Sequence, residues 1–433
     1  MSKQRKLSGR SVYVVDGART PFLKMRGKVG PFKASTLATY CGRQLLHRQK
    51  FDTSHIDQVI MGCVGAAADE ANIARLIALR LGLGHRMPAF TVQRNCASGL
   101  QAIDVAARAI AHGESDIVLC GGTESMSHAP LLFKDAMTNW LQVLQRAKTV
   151  GQKAQALTQF RVGMLTPVVA LLKGVTDTYV NLNMGQTAEE IAFRFGITRE
   201  DMDKYAERIH QLSLKAQEQH AFDEEVVAIF DEKGNLYDKD DGIRSDASLE
   251  KLAKLRPVFD KFGNVTAGNS SQVTDGACVL LLASEEAVNR HQLPTLGRVV
   301  DFEWAALDPS VMGLGPVHAI TPLLTRHQLQ LADLDCMEIN EAFAAQLLGC
   351  LKAWQDKTYC QTHLELPDVF GEMDLNKVNP DGGAIALGHP VGASGARVVL
   401  HLLHHLKRQQ GRLGVASLCI GGGQGGAVLV EAC

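Results

Sequence analysis

Two cysteines, a histidine and an asparagine stand where the chain can offer them to a substrate. Cys96 lies in RNCASGLQAI (94–103), before three small residues that open a helical pattern. A helix N-terminus carries unpaired N–H groups and the positive end of the helix dipole. Both favour the thiolate, the nucleophilic form of cysteine. A cysteine serves equally as a small apolar filler, so this segment alone leaves both readings open. His389 lies in NPDGGAIALGHPVGASGA (379–396), between Gly388 and Pro390 and ahead of a second helical pattern. A stiff, glycine-flanked loop presenting an imidazole suits general-base activation of a thiol. The glycines could instead cradle phosphate, but neither phosphate-loop spacing is present in this stretch. Cys419 closes a strand-like run in SLCIGGGQGG (417–426), and the N–H groups of the glycines after it can form an oxyanion hole. The competing dinucleotide reading lacks a following strand–helix unit. Asn340, in INEAFAAQ (339–346), can orient a water or an oxyanion, or cap the helix after it.

These residues are far apart in sequence, so the elements around them must bring them together. Short β-branched runs alternate with Ala/Leu-rich helical patterns, which points to α/β layers. Strands are expected at Ser11–Val15, Gln58–Met61, Ile117–Cys120, Val279–Leu282, Arg298–Val300, Met337–Ile339 and Gly414–Ile420, and a helix over Leu100–His112. An internal echo orders them. HIDQVIMGCVGAA (55–67) resembles DLDCMEINEAFAA (333–345), CASG (96–99) resembles GASG (392–395), and IVLCGG (117–122) resembles VASLCIGGG (415–423). Three matched elements in the same order argue for a duplicated α/β unit. If the two copies pack face to face, equivalent loops meet, and the motifs of both halves share one site.

Between the halves lies a different stretch, roughly residues 127–271. Its first part, Leu131–Gly174, is helix-like and basic, with Lys134, Arg146, Lys148, Lys153, Arg161 and Lys173 against one acid, Asp135. Met137, Trp140, Leu141, Leu144 and Ala147 fall at helical spacing. The stripe is expected either to pack on its own domain or to face a partner or a membrane interface.

Composition bounds the function. The chain has 433 residues, with 45 basic and 46 acidic side chains, so there is no chain-wide signal for nucleic acid. The ten cysteines show no C-x-x-C pair and no dense framework, which points to a reducing compartment. No apolar run approaches the ~18–20 residues of a spanning helix, and the basic start MSKQRKLSGR is not followed by a signal-peptide core. A cytoplasmic location is expected. HLLHHL (401–406) puts His401 and His405 one turn apart, but no acid or thiol adjoins them. A solvated helix surface is expected there, and no metal site.

NCASGL, VTAGNSSQVTDGA (265–277), MGLGPVHA (312–319), NEAFAAQ, GHPVGASGA and CIGGGQGG, in this order, resemble the motifs of the thiolase family. The likeness runs from about Val12 to Val430. It implies an α/β thiolase fold: duplicated five-stranded halves layered α-β-α-β-α, with an inserted loop domain. The implied domains are 1–126, completed by about 272–294; a loop domain 127–271 with the basic insertion 131–174; and 295–433. The resemblance makes Cys96 the acylated nucleophile, His389 its base and Cys419 the acid/base for the substrate α-carbon or the CoA thiol. Asn340 with His389 would form one oxyanion hole, and the N–H groups of Cys96 and Gly421 the other. Ser271 matches a residue on the pantetheine arm, Arg244 one near the nucleotide end, and Met312 one lining the acyl pocket. Coenzyme A is implied as co-substrate, with no permanently bound cofactor.

Some short-chain thiolases have a histidine before Met-Gly, where this chain has Asn183 in NLNMGQTAE. That segment and the basic insertion look more like the thiolase subunit of the bacterial fatty-acid oxidation trifunctional enzyme. The expected activity is cleavage of 3-ketoacyl-CoA by CoA. The expected partners are a second copy of the chain, a hydratase/dehydrogenase chain and, through the insertion, a membrane surface, with no nucleic acid. Formation of acetoacetyl-CoA is the nearest alternative activity, and a non-catalytic lipid carrier or scaffold the alternative of another class.

Overall fold

The computed structural model describes residues 6–433. Nine strands carry the main sheet: β1 (Val12–Arg19), β2 (Gln58–Gly62), β3 (Ala89–Val92), β4 (Ile117–Ser125), β5 (Thr274–Ser284), β6 (Gly297–Ala306), β7 (Cys336–Ile339), β8 (Leu413–Ile420) and β9 (Gln424–Ala432). A two-residue strand, Leu23–Lys24, adds to β5 at one side. The spatial order is β7-β8-β9-β6-β1-β5-β4-β2-β3. In the first half, β2 runs parallel to β3 and β4, while β5 is antiparallel to β4 and β1. The second half repeats the signs: β7 is parallel to β8, and β9 is antiparallel to β8 and β6. Where β3 would recur, a single parallel bridge joins Met337 to Val378, so the second half has four full strands and a one-residue fifth. The halves join edge to edge through three residue pairs between β1 and β6.

The repeat reaches into details that the sequence reading missed. VVD occurs at 14–16 and at 299–301, and both segments carry a bulge there, at Val14/Asp16 and at Val299/Asp301. In each, the aspartate accepts the next residue's N–H, which holds the bulge. Asp57 and Asp335, matched in the echo, each accept two N–H groups at the entry to the neighbouring parallel strand.

The layers follow from burial. Helix α3 (Ser98–Ala111) and helix α10 (Ser394–Gln409) are buried along most of their length, α10 despite Arg397 and three histidines. Their Leu100, Ile103, Val398 and Leu402 pack with Ile60 and Leu280 of one half and Leu418 and Val428 of the other. The outer face of the first half is covered by α1 (Ala34–His47) and α2 (Ile73–Arg80). The outer face of the second carries α8 (Gly315–Arg326) and α9 (Ala344–Gln355), with α6 (Met184–Arg194) and α7 (Arg199–Glu218) against them. The result is helix–sheet–helix–sheet–helix, with the shared helices in the centre.

Within 131–174 the chain makes a small hairpin of α4 (Asp135–Arg146) and α5 (Val150–Thr158) on a two-residue ribbon, Leu131–Leu132 with Val168–Val169. Trp140 Nε1 donates to the Ala156 carbonyl at 2.8 Å, and the Trp140 and Phe160 rings lie 5.0 Å apart. Much of the expected stripe is therefore turned inward: Met137 is buried, and Trp140, Leu144 and Ala147 partly so. Of the stripe only Leu141 stays exposed, and the apolar surface outside is mainly another set, including Leu131, Leu132, Phe133, Val150, Leu157 and Val162.

Candidate active site

The two central helices cross at their first turns. A Cβ built on Gly99 would lie 2.8 Å from the Ala396 nitrogen, and one on Gly395 would lie 2.4 Å from the Leu100 nitrogen. These contacts are reciprocal under the repeat, since Gly99 matches Gly395 and Leu100 matches Ala396. Backbone touches backbone at the pseudo-twofold axis, which only glycine permits. The loops that enter the two helices, one with Cys96 and one with His389, are thereby brought to the same spot.

Asn95 turns the chain into α3 with a left-handed φ of 42°, a conformation asparagine tolerates. Ser98 Oγ accepts from the Arg94 N–H at 2.8 Å and donates to the Asn95 carbonyl at 2.7 Å, closing the turn around Cys96. The Gly421 and Cys96 N–H groups both approach the Cys96 sulfur. Asn95 Nδ2 donates to the Gly421 carbonyl at 2.8 Å, tying the nucleophile loop to the glycine turn of the other half. The helix-end argument for a resting thiolate does not hold. Burial pushes the Cys96 thiol up, against the two N–H groups, so Cys96 rests protonated and needs a base. Cys96 keeps partial access to solvent, whereas eight of the ten cysteines are buried.

That base stands in the facing loop. Gly388 has φ +103°, which L side chains rarely adopt, and a Cβ there would meet the Thr274 side chain at 2.2 Å. The His389 N–H donates to the Gln272 carbonyl at 3.0 Å. Its Nδ1 lies 2.6 Å from Ser394 Oγ, and its Nε2 lies 3.5 Å from Asn340 Nδ2. Burial, with the Arg397 guanidinium second, pushes His389 down to about 3, so the imidazole is neutral and able to accept a proton. Asn340 is fully buried, fixed by its N–H to the Ser417 carbonyl at 2.9 Å, and its Oδ1 has no protein partner. It does not cap the following helix, because α9 begins only at Ala344 with Phe343 in the cap position. An amide oxygen left unpaired beside an imidazole fits a held water, whose proton it would accept.

Cys419 is the next-to-last residue of β8, at 1% exposure. Burial, then the neighbouring Cys96, pushes its thiol well up. The two sulfurs are therefore close enough to influence one another. Met312 is buried in the core cluster that also holds Cys419 and Phe343. The Ser271 N–H donates to the Ala342 carbonyl at 3.0 Å, one residue from the carbonyl that holds His389. Arg244 stands further out and is exposed; its N–H meets His210 Nδ1 at 3.2 Å. A chain of contacts leads from it to the centre, since Gln272 Nε2 donates to the Gly242 carbonyl at 2.8 Å. From the other side Met184 reaches Gly421. Asn183, in the place of the short-chain histidine, accepts from the Gln186 N–H at 3.0 Å and caps α6. Asn95, Gln272 and Ser394 are the residues the sequence reading passed over; only the left-handed tolerance of an asparagine just before the cysteine hinted at one of them.

HLLHHL departs from its expectation. His401, His404 and His405 are buried, because α10 up to Leu406 lies between the two halves of the sheet. Each pairs with a carboxylate: His401 with Glu225 at 3.0 Å, His404 with Glu224 at 3.1 Å and His405 with Asp381 at 2.8 Å. The acids come from distant segments, which no local reading could supply. Among the described residues no group of three or more His, Cys, Asp or Glu is arranged to hold a metal ion.

A protonated thiol, a neutral imidazole, a second thiol and two sets of donors can form, stabilise and break an acyl–sulfur bond. Residues 12–286 match the family model "Thiolase, N-terminal domain" and residues 293–432 match "Thiolase, C-terminal domain". The chain is 39% identical over 429 residues to the beta-ketoadipyl-CoA thiolase of Pseudomonas knackmussii, covering 98% of this chain and 99% of that one. It is 38% identical over 426 residues to the mitochondrial 3-ketoacyl-CoA thiolase of Homo sapiens, covering 98% of each. The human mitochondrial 3-ketoacyl-CoA thiolase solved with CoA superposes with a TM-score of 0.85 at 37% identity, over 100% of both chains. The Bacillus anthracis acetyl-CoA acetyltransferase superposes with a TM-score of 0.85 at 36% identity, over 98% of this chain and 100% of that one. The chain belongs to the thiolase family and is an acyltransferase.

Proposed function

We propose that the chain is a 3-ketoacyl-CoA thiolase of fatty-acid β-oxidation, which uses CoA to cleave a 3-ketoacyl-CoA into acetyl-CoA and a shortened acyl-CoA. The observations that carry this are two pairs, Cys96 with Cys419 at the Gly421 turn and His389 with Asn340, and the crossing at Gly99 and Gly395 of the helices that the Cys96 and His389 loops enter. His389 Nε2 takes the Cys96 proton, and the sulfur attacks the 3-keto carbon. The developing oxyanion is held by donors at the site. The C2–C3 bond then breaks, the acyl group stays on Cys96, and the acetyl-CoA enolate takes a proton from Cys419. The Cys419 thiolate deprotonates the incoming CoA, whose sulfur attacks the acyl-enzyme. Cys96 leaves and recovers its proton from His389. Transfer between sulfurs is near thermoneutral, so the acyl step runs both ways.

The Asn183 cap supports the longer acyl range, since the short-chain histidine is replaced by a residue spent on α6. Ser271, Gln272 and the Arg244 loop lie along one path outward from His389, a course suited to the CoA arm. The basic hairpin supports a peripheral contact with an anionic membrane. Val150 is 85% and Val162 76% exposed, and none of the six basic side chains of 131–174 forms an ion pair among the described residues. Thiolysis rates from four-carbon to sixteen-carbon 3-ketoacyl-CoA test the function. Cleavage of the longer substrates is expected. Activity confined to acetoacetyl-CoA would favour an acetyl-CoA acetyltransferase, and no acyl transfer at any length would favour a scaffold.

A further inference from the structure

We infer that Ser394 fixes the tautomer of His389 and so controls the supply of thiolate at Cys96. The inference rests on His389 being the base of Cys96, as proposed above. Ser394 is fully buried at the first position of α10. Its Oγ lies 2.6 Å from His389 Nδ1 and 3.1 Å from the Pro390 carbonyl. The carbonyl, which also accepts from the Ala393 and Ser394 N–H groups, can only accept; with the hydroxyl proton directed to it, the Oγ lone pair takes the proton of Nδ1–H. Nε2 is then left with its lone pair, facing Asn340 Nδ2 at 3.5 Å. Every donor in this chain meets an acceptor. In the opposite tautomer Nε2–H would point at the amide donor of Asn340, and Nε2 would have no lone pair to take a proton. When Cys96 gives its proton to Nε2, the sulfur keeps the electron pair, and the imidazolium still donates from Nδ1 to Ser394.

The repeat supports the assignment. Ser98, the equivalent serine, bonds the Arg94 N–H and the Asn95 carbonyl in its own preceding loop. In each half the first serine of the central helix thus ties down the loop before it, and in the second half that loop carries the imidazole. Ser394 is a positioning residue: it acts through His389 and not on the substrate.

Nitrogen-15 NMR of ring-labelled histidine in the full-length protein, with His389→Asn to assign the signals, reads the tautomer directly. A protonated Nδ1 and a bare Nε2 are expected; an Nε2–H signal overturns the inference. Alkylation of Cys96 by iodoacetamide reads thiolate supply without any substrate, so its outcome stands even if thiolysis is absent. Ser394→Ala should slow alkylation about 10-fold at neutral pH and displace its pH profile upward, and Ser394→Thr should restore both. In turnover, kcat should fall with KM little changed. An unchanged alkylation rate and pH profile in Ser394→Ala overturns the inference, and the wild-type spectrum decides it should that variant fail to fold.

Discussion

Gly395→Ala tests the crossing that builds the site. The added Cβ would sit 2.4 Å from the Leu100 nitrogen and 3.0 Å from the Leu100 Cβ, where ordinary contact begins near 3.4 Å. The nearest atom is backbone, so no side chain can rotate away, and the helices must part by about 1 Å. Overpacking of this kind costs about 1–3 kcal/mol, and the better helix propensity of alanine returns up to about 1 kcal/mol. A net loss of up to about 3 kcal/mol leaves a folded enzyme. The chemistry should suffer more. Cys96 and His389 ride on the loops entering the two helices, and a misplacement of about 1 Å costs on the order of 100-fold in rate. Single-turnover acylation of Cys96, quenched and read by mass spectrometry, measures the rate, and a thermal melt measures the fold. Gly151→Ala, on α5 with nothing within 4 Å of the new methyl, is the control and should acylate normally. A folded Gly395→Ala that acylates within twofold of the wild type would refute the claim that this crossing sets the spacing of thiol and imidazole.

Other perturbations separate the remaining parts. Cys419→Ala should still take an acyl group from acyl-CoA but lose carbon–carbon bond cleavage by at least about 100-fold; unchanged thiolysis would remove its role. Burial opposes a charge on His401, but Glu225 and Asp381 outweigh it and hold its pKa up at about 10. This raised value adds stability that is complete below about pH 6.5, the usual histidine value, and is lost as pH rises through about 10. His401→Gln should cost on the order of 3 kcal/mol at pH 6 and flatten the fall above pH 7 in denaturant titrations; a pH dependence equal to the wild type's would contradict the pairing. The hairpin should bind anionic vesicles more weakly as salt rises, and Lys148→Glu with Lys153→Glu should weaken it by about 1 kcal/mol per charge or more. Salt-independent binding, or none, would point instead to a protein partner.

The chemistry was legible where the chain repeats itself. Cys96 and His389 sit in equivalent loops, and the echo of CASG and GASG already placed both at the entrances of matched helices. All seven expected strands and the helix at Leu100–His112 lie within or across observed elements. What the sequence hid was long-range. Burial of Cys96 reversed the electrostatic reading because the dipole argument counts only its own helix. The histidines of α10 looked solvated because their acids, Glu225 and Asp381, come from segments folded over the helix. The orientation of the stripe from Met137 to Ala147 stayed open because α5, which covers much of it, follows a turn that local periodicity does not orient.

The proposed mechanism requires the Cys96 sulfur to carry the acyl group, with Cys419 serving the α-carbon. Incubation with a 3-ketoacyl-CoA in the absence of free CoA, followed by acid quench and peptide mass spectrometry, tests this most directly. The acyl mass, shortened by two carbons, should appear on the Cys96 peptide and disappear on later addition of CoA. An acyl group on another cysteine, or none on Cys96 while the substrate is consumed, would contradict it.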